Sequence, residues 1–149
     1  EGKVSVEAVV QVAQSLKEIG CHEISLGDTI GTGTPAKAQT MIDAVANAIS
    51  IDNIAVHFHD TYGQGLANIL AAMEVGVSVI DTSISGLGGC PYAKGASGNA
   101  ASEDVLYMLD GLGVETGIDL GSMVETANFI SKALGRPSNA KVTRALSKE

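Results

Sequence analysis

The sequence predicts an α/β protein built on a parallel β-sheet, and two features of the chain carry that prediction. Short strands alternate with helices at intervals of roughly 25–30 residues, which is the order typical of parallel-sheet proteins. The three strands are apolar with few outward polar positions, as expected for strands that helices cover. Open sheets and (β/α)8 barrels both fit this order, so the order alone does not separate them.

Each element follows from its periodicity and its end signals. Apolar residues recur at helical spacing from Val4 to Ile19, and Gly20 supplies a C-terminal stop. Thr34 and Pro35 are typical of a helix start. We further predict strands at 22–28, 53–59 and 77–83, and helices at about 34–49, 64–75, 100–109, 122–134 and 139–146, the last three with N-caps at Asn99, Gly121 and Ser138.

Composition narrows the class of protein. Of the 149 residues, 45% are hydrophobic and 17% are charged, which indicates a globular interior. The net charge is −8 and the nine Lys and Arg residues are scattered, so we expect no nucleic-acid partner. No apolar run approaches the ~20 residues that span a bilayer, so we expect no membrane partner.

The start of the chain and its cysteines add two expectations. The chain begins at Glu1 without an initiator Met and enters an amphipathic helix at once, as a piece of a longer chain would. Cys21 and Cys90 form neither a CxxC pair nor a zinc spacing, so we expect two free thiols in a reducing compartment.

His57-Phe58-His59 is the strongest local signal for chemistry. Residues i and i+2 of a strand lie on one face about 6.6 Å apart, so both imidazoles face the same point while Phe58 faces away. Two imidazoles at a strand end suit one edge of a metal site. The alternative is two hydrogen-bonded polar residues at a strand terminus.

Asn99 is the candidate third ligand, through its side-chain oxygen, although an Asn at this position also suits an ordinary N-cap. Imidazole with neutral oxygen and no thiolate favours Mg²⁺ or Mn²⁺ over a closed zinc site. A carboxylate to complete the shell is not evident in the sequence.

Three further side chains are candidate catalytic groups, each with a simpler alternative. Cys90 lies in a glycine-rich loop, where its thiol can move over a bound substrate or simply fill space beneath the loop. Asp28 ends the first strand, where it can hold a catalytic group or accept hydrogen bonds from loop N–H groups. Glu103 lies in the first turn of a helix, where the dipole favours it, and close enough to Asn99 to support that residue.

Three segments of the chain resemble one family. Residues 24–35 (ISLGDTIGTGTP), 57–68 (HFHDTYGQGLAN) and 86–99 (GLGGCPYAKGASGN) are similar to the 3-hydroxy-3-methylglutaryl-CoA lyases. The cysteine-containing segment is the specific part. The isopropylmalate and homocitrate synthases share the His-x-His strand but carry a Glu-Arg segment in place of this cysteine.

The resemblance implies a fold and a chemistry. The chain would be the C-terminal portion of a (β/α)8 TIM barrel, about strands six to eight with their helices, followed by C-terminal helices. His57, His59 and Asn99 would bind Mg²⁺ or Mn²⁺, which would chelate the 3-hydroxyl and a carboxylate oxygen of an acyl-CoA substrate. Cys90 would exchange a proton with the enolate of acetyl-CoA, and Asp28 and Glu103 would belong to the surrounding network.

The resemblance also implies that the chain is one incomplete domain over 1–149. The family's Asp ligand and general base, and a neighbouring Arg, lie on the first barrel strand, upstream of Glu1, so we expect little or no activity from the chain alone. An open sheet edge favours a homo-oligomer. We expect the cytoplasm if the source is bacterial and the mitochondrial matrix if it is eukaryotic. A condensing relative and a non-catalytic truncation product are the alternatives.

Overall fold

The sheet has three parallel strands, as the sequence predicts. The computed structural model describes residues 4–89 and 98–147. Strand β1 (Ile24–Asp28) pairs with β2 (Ile54–Phe58), which pairs in turn with β3 (Val79–Asp81). All three strands are shorter than predicted, and β3 least resembles its prediction because only three of its residues pair with β2.

Six helices surround or follow the sheet in the described part of the chain. Each corresponds to a predicted helix, so the predicted order of elements is confirmed. Two short 3-10 turns, Ile51–Asn53 before β2 and Ile84–Gly86 after β3, were not predicted. The helices are α1 (Val6–Glu18), α2 (Pro35–Ala46), α3 (Gly65–Glu74), α4 (Ser102–Gly111), α5 (Leu120–Leu134) and α6 (Lys141–Leu146).

Helix α2 begins as predicted, but the predicted N-caps of α4 and α6 were wrong. Pro35 is the first residue of α2 and Thr34 precedes it in an extended conformation. Helix α4 is capped at Ala101 rather than Asn99, because Asn99 forms an isolated bridge with His59, the residue after β2. Helix α6 is capped at Ala140 rather than Ser138, whose hydroxyl accepts a hydrogen bond from the Ala140 N–H.

The predicted N-cap of α5, Gly121, was also wrong, and Asp119 holds that position. The carboxylate of Asp119 accepts hydrogen bonds from the backbone N–H and the hydroxyl of Ser122, at 2.7 and 2.8 Å. Those two bonds favour the charged form and lower the pKa of the Asp119 carboxyl below its usual value.

The core lies between the sheet and helices α1 to α4. Strand β2 is central, and its residues Ile54, Ala55, Val56 and Phe58 are almost fully buried. In the described residues neither outer edge of the sheet, along β1 or along β3, pairs with a further strand. No helix in residues 4–89 or 98–147 is both long and apolar enough to cross a bilayer.

Candidate active site

The two histidines meet at the carboxyl end of β2. The ring centroids of His57 and His59 lie 5.4 Å apart, and the ring planes are nearly perpendicular at 89°. His59 is buried, whereas the side chain of His57 is 42% exposed. The structure therefore brings both imidazoles to one place, as their i, i+2 spacing in a strand requires.

The surroundings of His59 fix its tautomer. Its Nδ1 lies 3.1 Å from the backbone carbonyl oxygen of Asp28. A carbonyl oxygen only accepts hydrogen bonds, so Nδ1 carries the proton and donates. In the neutral ring, Nε2 then keeps its lone pair and is free to bind a ligand.

Asn99 lies directly opposite His59. The two residues form an antiparallel bridge, and the hydrogen bonds Asp60 N–H to Gly98 O and Ala100 N–H to Phe58 O flank it. This is the non-hydrogen-bonded type of pair, in which Cα atoms lie about 4.5 Å apart and the side chains approach closely. The bridge thus places the Asn99 side chain beside His59.

The amide of Asn99 has a defined orientation. Its Nδ2 donates a hydrogen bond of 2.8 Å to the carbonyl oxygen of Leu87, which can only accept. The Oδ1 atom is buried, and in the described part of the chain it has no hydrogen-bond partner. A buried amide oxygen left unpaired calls for an explanation, and a bound cation is one.

An unpaired amide oxygen does not identify a ligand on its own. Oδ1 of Asn68 is equally buried and equally unpaired, while its Nδ2 donates to the carbonyl oxygen of Gly33. What distinguishes Asn99 is its pairing with His59. The candidate ligand set therefore rests on the three side chains together.

Asp28 contacts His59 through its backbone rather than its carboxylate. Oδ2 of Asp28 accepts a 2.8 Å hydrogen bond from the Gly33 N–H and so closes the loop after β1. A Cβ atom added at Gly33 would lie 2.7 Å from that Oδ2, so the loop requires glycine there. This contact matches the alternative role of Asp28 as a loop cap, and the carbonyl group orients His59.

Glu103 is fully buried, and its partners lie on two other segments. Both carboxylate oxygens accept from the Ser85 N–H at 3.0 Å, and Oε1 also accepts from the Thr143 hydroxyl at 2.9 Å. Ser85 has a left-handed backbone with φ 57°, and Leu87, which holds the Asn99 amide, follows two residues later. Glu103 therefore anchors the segment that orients Asn99.

Cys90 lies outside the described residues, so the structure gives no position for the predicted loop thiol. Within residues 4–89 and 98–147, no three His, Cys, Asp or Glu side chains come together as a metal site. The side chains that this part of the chain brings together at the end of β2 are the two imidazoles and, beside His59, the Asn99 amide.

Sequence reasoning missed Asp81. It ends β3 in register with His57, and its Oδ2 lies 3.8 Å from Nδ1 of His57. The same oxygen accepts a 2.7 Å hydrogen bond from the Ser25 hydroxyl of β1. The only signal in the sequence was a carboxylate at the end of an apolar strand, because its alignment with His57 depends on the sheet register.

Comparison with known proteins agrees with this fold. The structure superposes on the crystal structure of hydroxymethylglutaryl-CoA lyase from Pseudomonas aeruginosa with a TM-score of 0.93 and 49% identity, covering 98% of this chain and 49% of that one. Solved structures that match it are TIM barrels of which this chain covers about half. The chain is therefore part of a (β/α) barrel.

Sequence comparison defines the family. The HMGL-like family model matches residues 1–130. The mitochondrial hydroxymethylglutaryl-CoA lyases of Arabidopsis thaliana and Mus musculus are 57% and 55% identical to the chain, each over 99% of its length. The chain belongs to the HMGL-like family. It spans 32% and 46% of those two relatives.

Proposed function

We propose that the chain contributes part of the active site of a lyase that cleaves 3-hydroxy-3-methylglutaryl-CoA to acetoacetate and acetyl-CoA. The observation that carries the proposal is the cluster of His57, His59 and Asn99 at the carboxyl end of the central strand, the rim where barrel enzymes place their sites. The relatives that match over nearly the whole chain are named for this activity.

The cluster fits a divalent cation, Mg²⁺ or Mn²⁺. The Nδ1 atom of His59 is already engaged, which leaves Nε2 free, and Oδ1 of Asn99 is buried and unpaired among the described residues. Imidazole nitrogen and amide oxygen suit these ions, with a carboxylate and water completing the shell. A bound cation would stabilise the negative charge that develops on the substrate's C3 oxygen when the 3-hydroxyl loses its proton, before the C2–C3 bond breaks and the charge passes to the enolate of acetyl-CoA.

The remaining candidates would support this centre. The thiol of Cys90 would exchange a proton with the enolate of acetyl-CoA, a role that rests on the family resemblance of residues 86–99. Asp28 would orient His59 through its carbonyl oxygen, and Glu103 would hold the segment that orients Asn99. In this scheme the protein's own groups position ligands and move one proton.

The proposal includes the assembly. Residues 1–149 would form one incomplete domain containing strands six to eight, with the other strands supplying the missing carboxylate and base. The unpaired edges of β1 and β3 would then be covered by those strands or by a second copy of the chain. A cytoplasmic enzyme in a bacterium, or a matrix enzyme in a eukaryote, suits free thiols such as that of Cys21.

A chimera tests the activity. The matching half of the Pseudomonas aeruginosa enzyme is replaced by this chain, which superposes on it with 49% identity. We expect the chimera to release acetyl-CoA from 3-hydroxy-3-methylglutaryl-CoA in the presence of Mg²⁺ or Mn²⁺. Changing Cys90 to alanine should slow that release by about 10²–10⁴-fold, the usual contribution of a positioned proton-transfer group.

The control is the parent enzyme with the matching cysteine changed. If the rate of acetyl-CoA release falls by less than about threefold in both proteins, the thiol has no part in the mechanism. A chimera that joins acetyl-CoA to an oxo acid and does not cleave the lyase substrate would identify a condensing enzyme. A folded chimera with neither activity would favour a non-catalytic product.

Gly88 provides an independent test of Asn99. A Cβ at Gly88 would lie 2.7 Å from Nδ2 of Asn99, and φ is +94°, so Gly88→Ala should displace the amide. We expect Mn²⁺ affinity of the chimera to fall by about 10–100-fold, as when a supporting group is lost. Gly113→Ala is the matched control, since Gly113 also has positive φ (+73°) but nothing within 4 Å. Equal affinities in the two variants would contradict a ligand role for Asn99.

A further inference from the structure

Three strands contribute a row of polar side chains, of which the proposed function uses only His57. Ser25 of β1 donates a 2.7 Å hydrogen bond to Oδ2 of Asp81 in β3, and the same oxygen lies 3.8 Å from Nδ1 of His57 in β2. His57 and Asp81 are partners in the parallel ladder, so their side chains leave the sheet on one face.

We propose that Asp81 is a positioning residue for His57: its carboxylate accepts the Nδ1–H and keeps the ring in the tautomer whose Nε2 is free for the cation. This inference rests on the proposed metal site. Ser25 holds the carboxylate in place, because its hydroxyl donates to the oxygen that faces His57.

The comparison with His59 shows why such a group is needed. His59 can offer only Nε2 to a cation, because its Nδ1 donates to the Asp28 carbonyl oxygen. A group on the Nδ1 side of His57 would make that ring offer Nε2 as well. For His57, the acceptor on the Nδ1 side is the Asp81 carboxylate. A carboxylate on the far nitrogen of a ligating histidine fixes the tautomer and makes the ring more basic.

The distance of 3.8 Å is longer than a hydrogen bond. Both side chains are partly exposed, at 42% and 44%, which leaves room for a small rotation that would close the gap. Supporting contacts of this kind are often long before the ligand binds. The Asp81 carboxylate lies on the Nδ1 side of the His57 ring, whereas the cation would bind at Nε2. Asp81 therefore positions the ligand and does not itself bind the cation.

The test uses NMR on the chimera described above, without turnover. Long-range ¹H–¹⁵N spectra of the imidazoles at about pH 8.5, where an ordinary histidine is neutral, report which nitrogen carries the proton. We expect His57 to be protonated at Nδ1, and to move toward the Nε2–H form in Asp81→Ala. Asp81→Asn keeps an acceptor oxygen and should restore the Nδ1–H form.

Two controls are built into the chain. His59 should keep its Nδ1–H form in every variant, and the exposed His22 should not change. Ser25→Ala provides a second variant, in which the loosened carboxylate should move His57 in the same direction as Asp81→Ala. An unchanged His57 tautomer in both Asp81→Ala and Ser25→Ala would overturn the proposal.

A Mn²⁺ titration of the same samples separates this inference from the proposed function. The signals of His57 and His59, but not His22, should broaden, and Asp81→Ala should need about 10–100-fold more Mn²⁺ for the same effect. Equal broadening in wild type and Asp81→Ala would overturn the positioning role. Broadening that spares His57 and His59 in the wild type would overturn the metal site itself, whatever the tautomers show.

Discussion

Replacing either His57 or His59 with alanine should weaken Mn²⁺ binding by the chimera by more than about 100-fold. Loss of a supporting group around a metal typically costs 10–100-fold in affinity, and removal of a ligand should exceed that range. The ring centroids lie 5.4 Å apart, so one cation can contact both rings. Neither ring can replace the other as a ligand when one of them is removed. Titration calorimetry or the electron paramagnetic resonance signal of free Mn²⁺ measures the loss.

The two variants should differ in stability, which separates a ligand from a structural histidine. His59 is buried and donates to the Asp28 carbonyl oxygen, so His59→Ala should also cost about 1–2 kcal/mol in the free energy of unfolding. The His57 side chain is 42% exposed, so His57→Ala should lower the free energy of unfolding by less. Urea denaturation of the metal-free protein measures this difference.

The control is His22→Ala. His22 is exposed and precedes β1, at the end of the sheet away from the two histidines, so neither affinity nor stability should change. Wild-type Mn²⁺ affinity in both His57→Ala and His59→Ala would refute the metal site and with it the proposed lyase chemistry.

The sequence predicted the order of elements well because periodicity is a local property. Apolar spacing at 3.6 and 2 residues located all six helices and all three strands of the described chain. The strand ends were less predictable, since a strand ends where its neighbour stops pairing. Strand β3 was predicted over 77–83 but pairs with β2 only at Val79–Asp81.

Two of the three failed N-caps have a common physical cause. Asn99 and Ser138 have side chains suited to capping, yet both make tertiary contacts instead. Asn99 pairs with His59 and bonds Leu87, and Ser138 donates to the Ser85 hydroxyl at 2.9 Å. Local sequence signals cannot show whether a side chain will cap a helix or bond to a residue far away in the sequence.

The candidate site also combines features that local sequence predicts with features that depend on distant contacts. His57 and His59 lie two residues apart at the end of β2, so their proximity was evident in the sequence. Asp81 required the register between two strands, and the buried partners of Glu103 lie 18 and 40 residues away in sequence. The candidate ligands and Glu103 were therefore evident in the sequence, whereas Asp81 and the contacts that Glu103 makes were not.

Among changes to this network, Glu103→Ala should be the most destabilising, and it should lower the free energy of unfolding by about 3–5 kcal/mol. The variant would leave the Ser85 N–H and the Thr143 hydroxyl buried without their acceptor, and each such group costs about 1–3 kcal/mol. A cavity adds to that cost, because Glu103 has no exposed surface. Domains of this size are stable by only about 5–15 kcal/mol, so the loss is large.

Glu103→Gln keeps the shape and one acceptor oxygen, so it should lose only about 1–2 kcal/mol. Glu115→Ala, at an exposed position between α4 and α5, makes the same substitution and should change stability by less than about 0.5 kcal/mol. Urea denaturation monitored by circular dichroism gives all three values.

The same variants test whether Glu103 acts on the site through Ser85. Freed from its anchor, Ser85 should leave its left-handed conformation, and Leu87 should then release the Asn99 amide. The chimera carrying Glu103→Gln should therefore bind Mn²⁺ more weakly than the chimera carrying Glu115→Ala, although both remain folded. A Glu103→Ala variant within 1 kcal/mol of wild type would show that other contacts hold the segment, and Asn99 would then be oriented without this carboxylate.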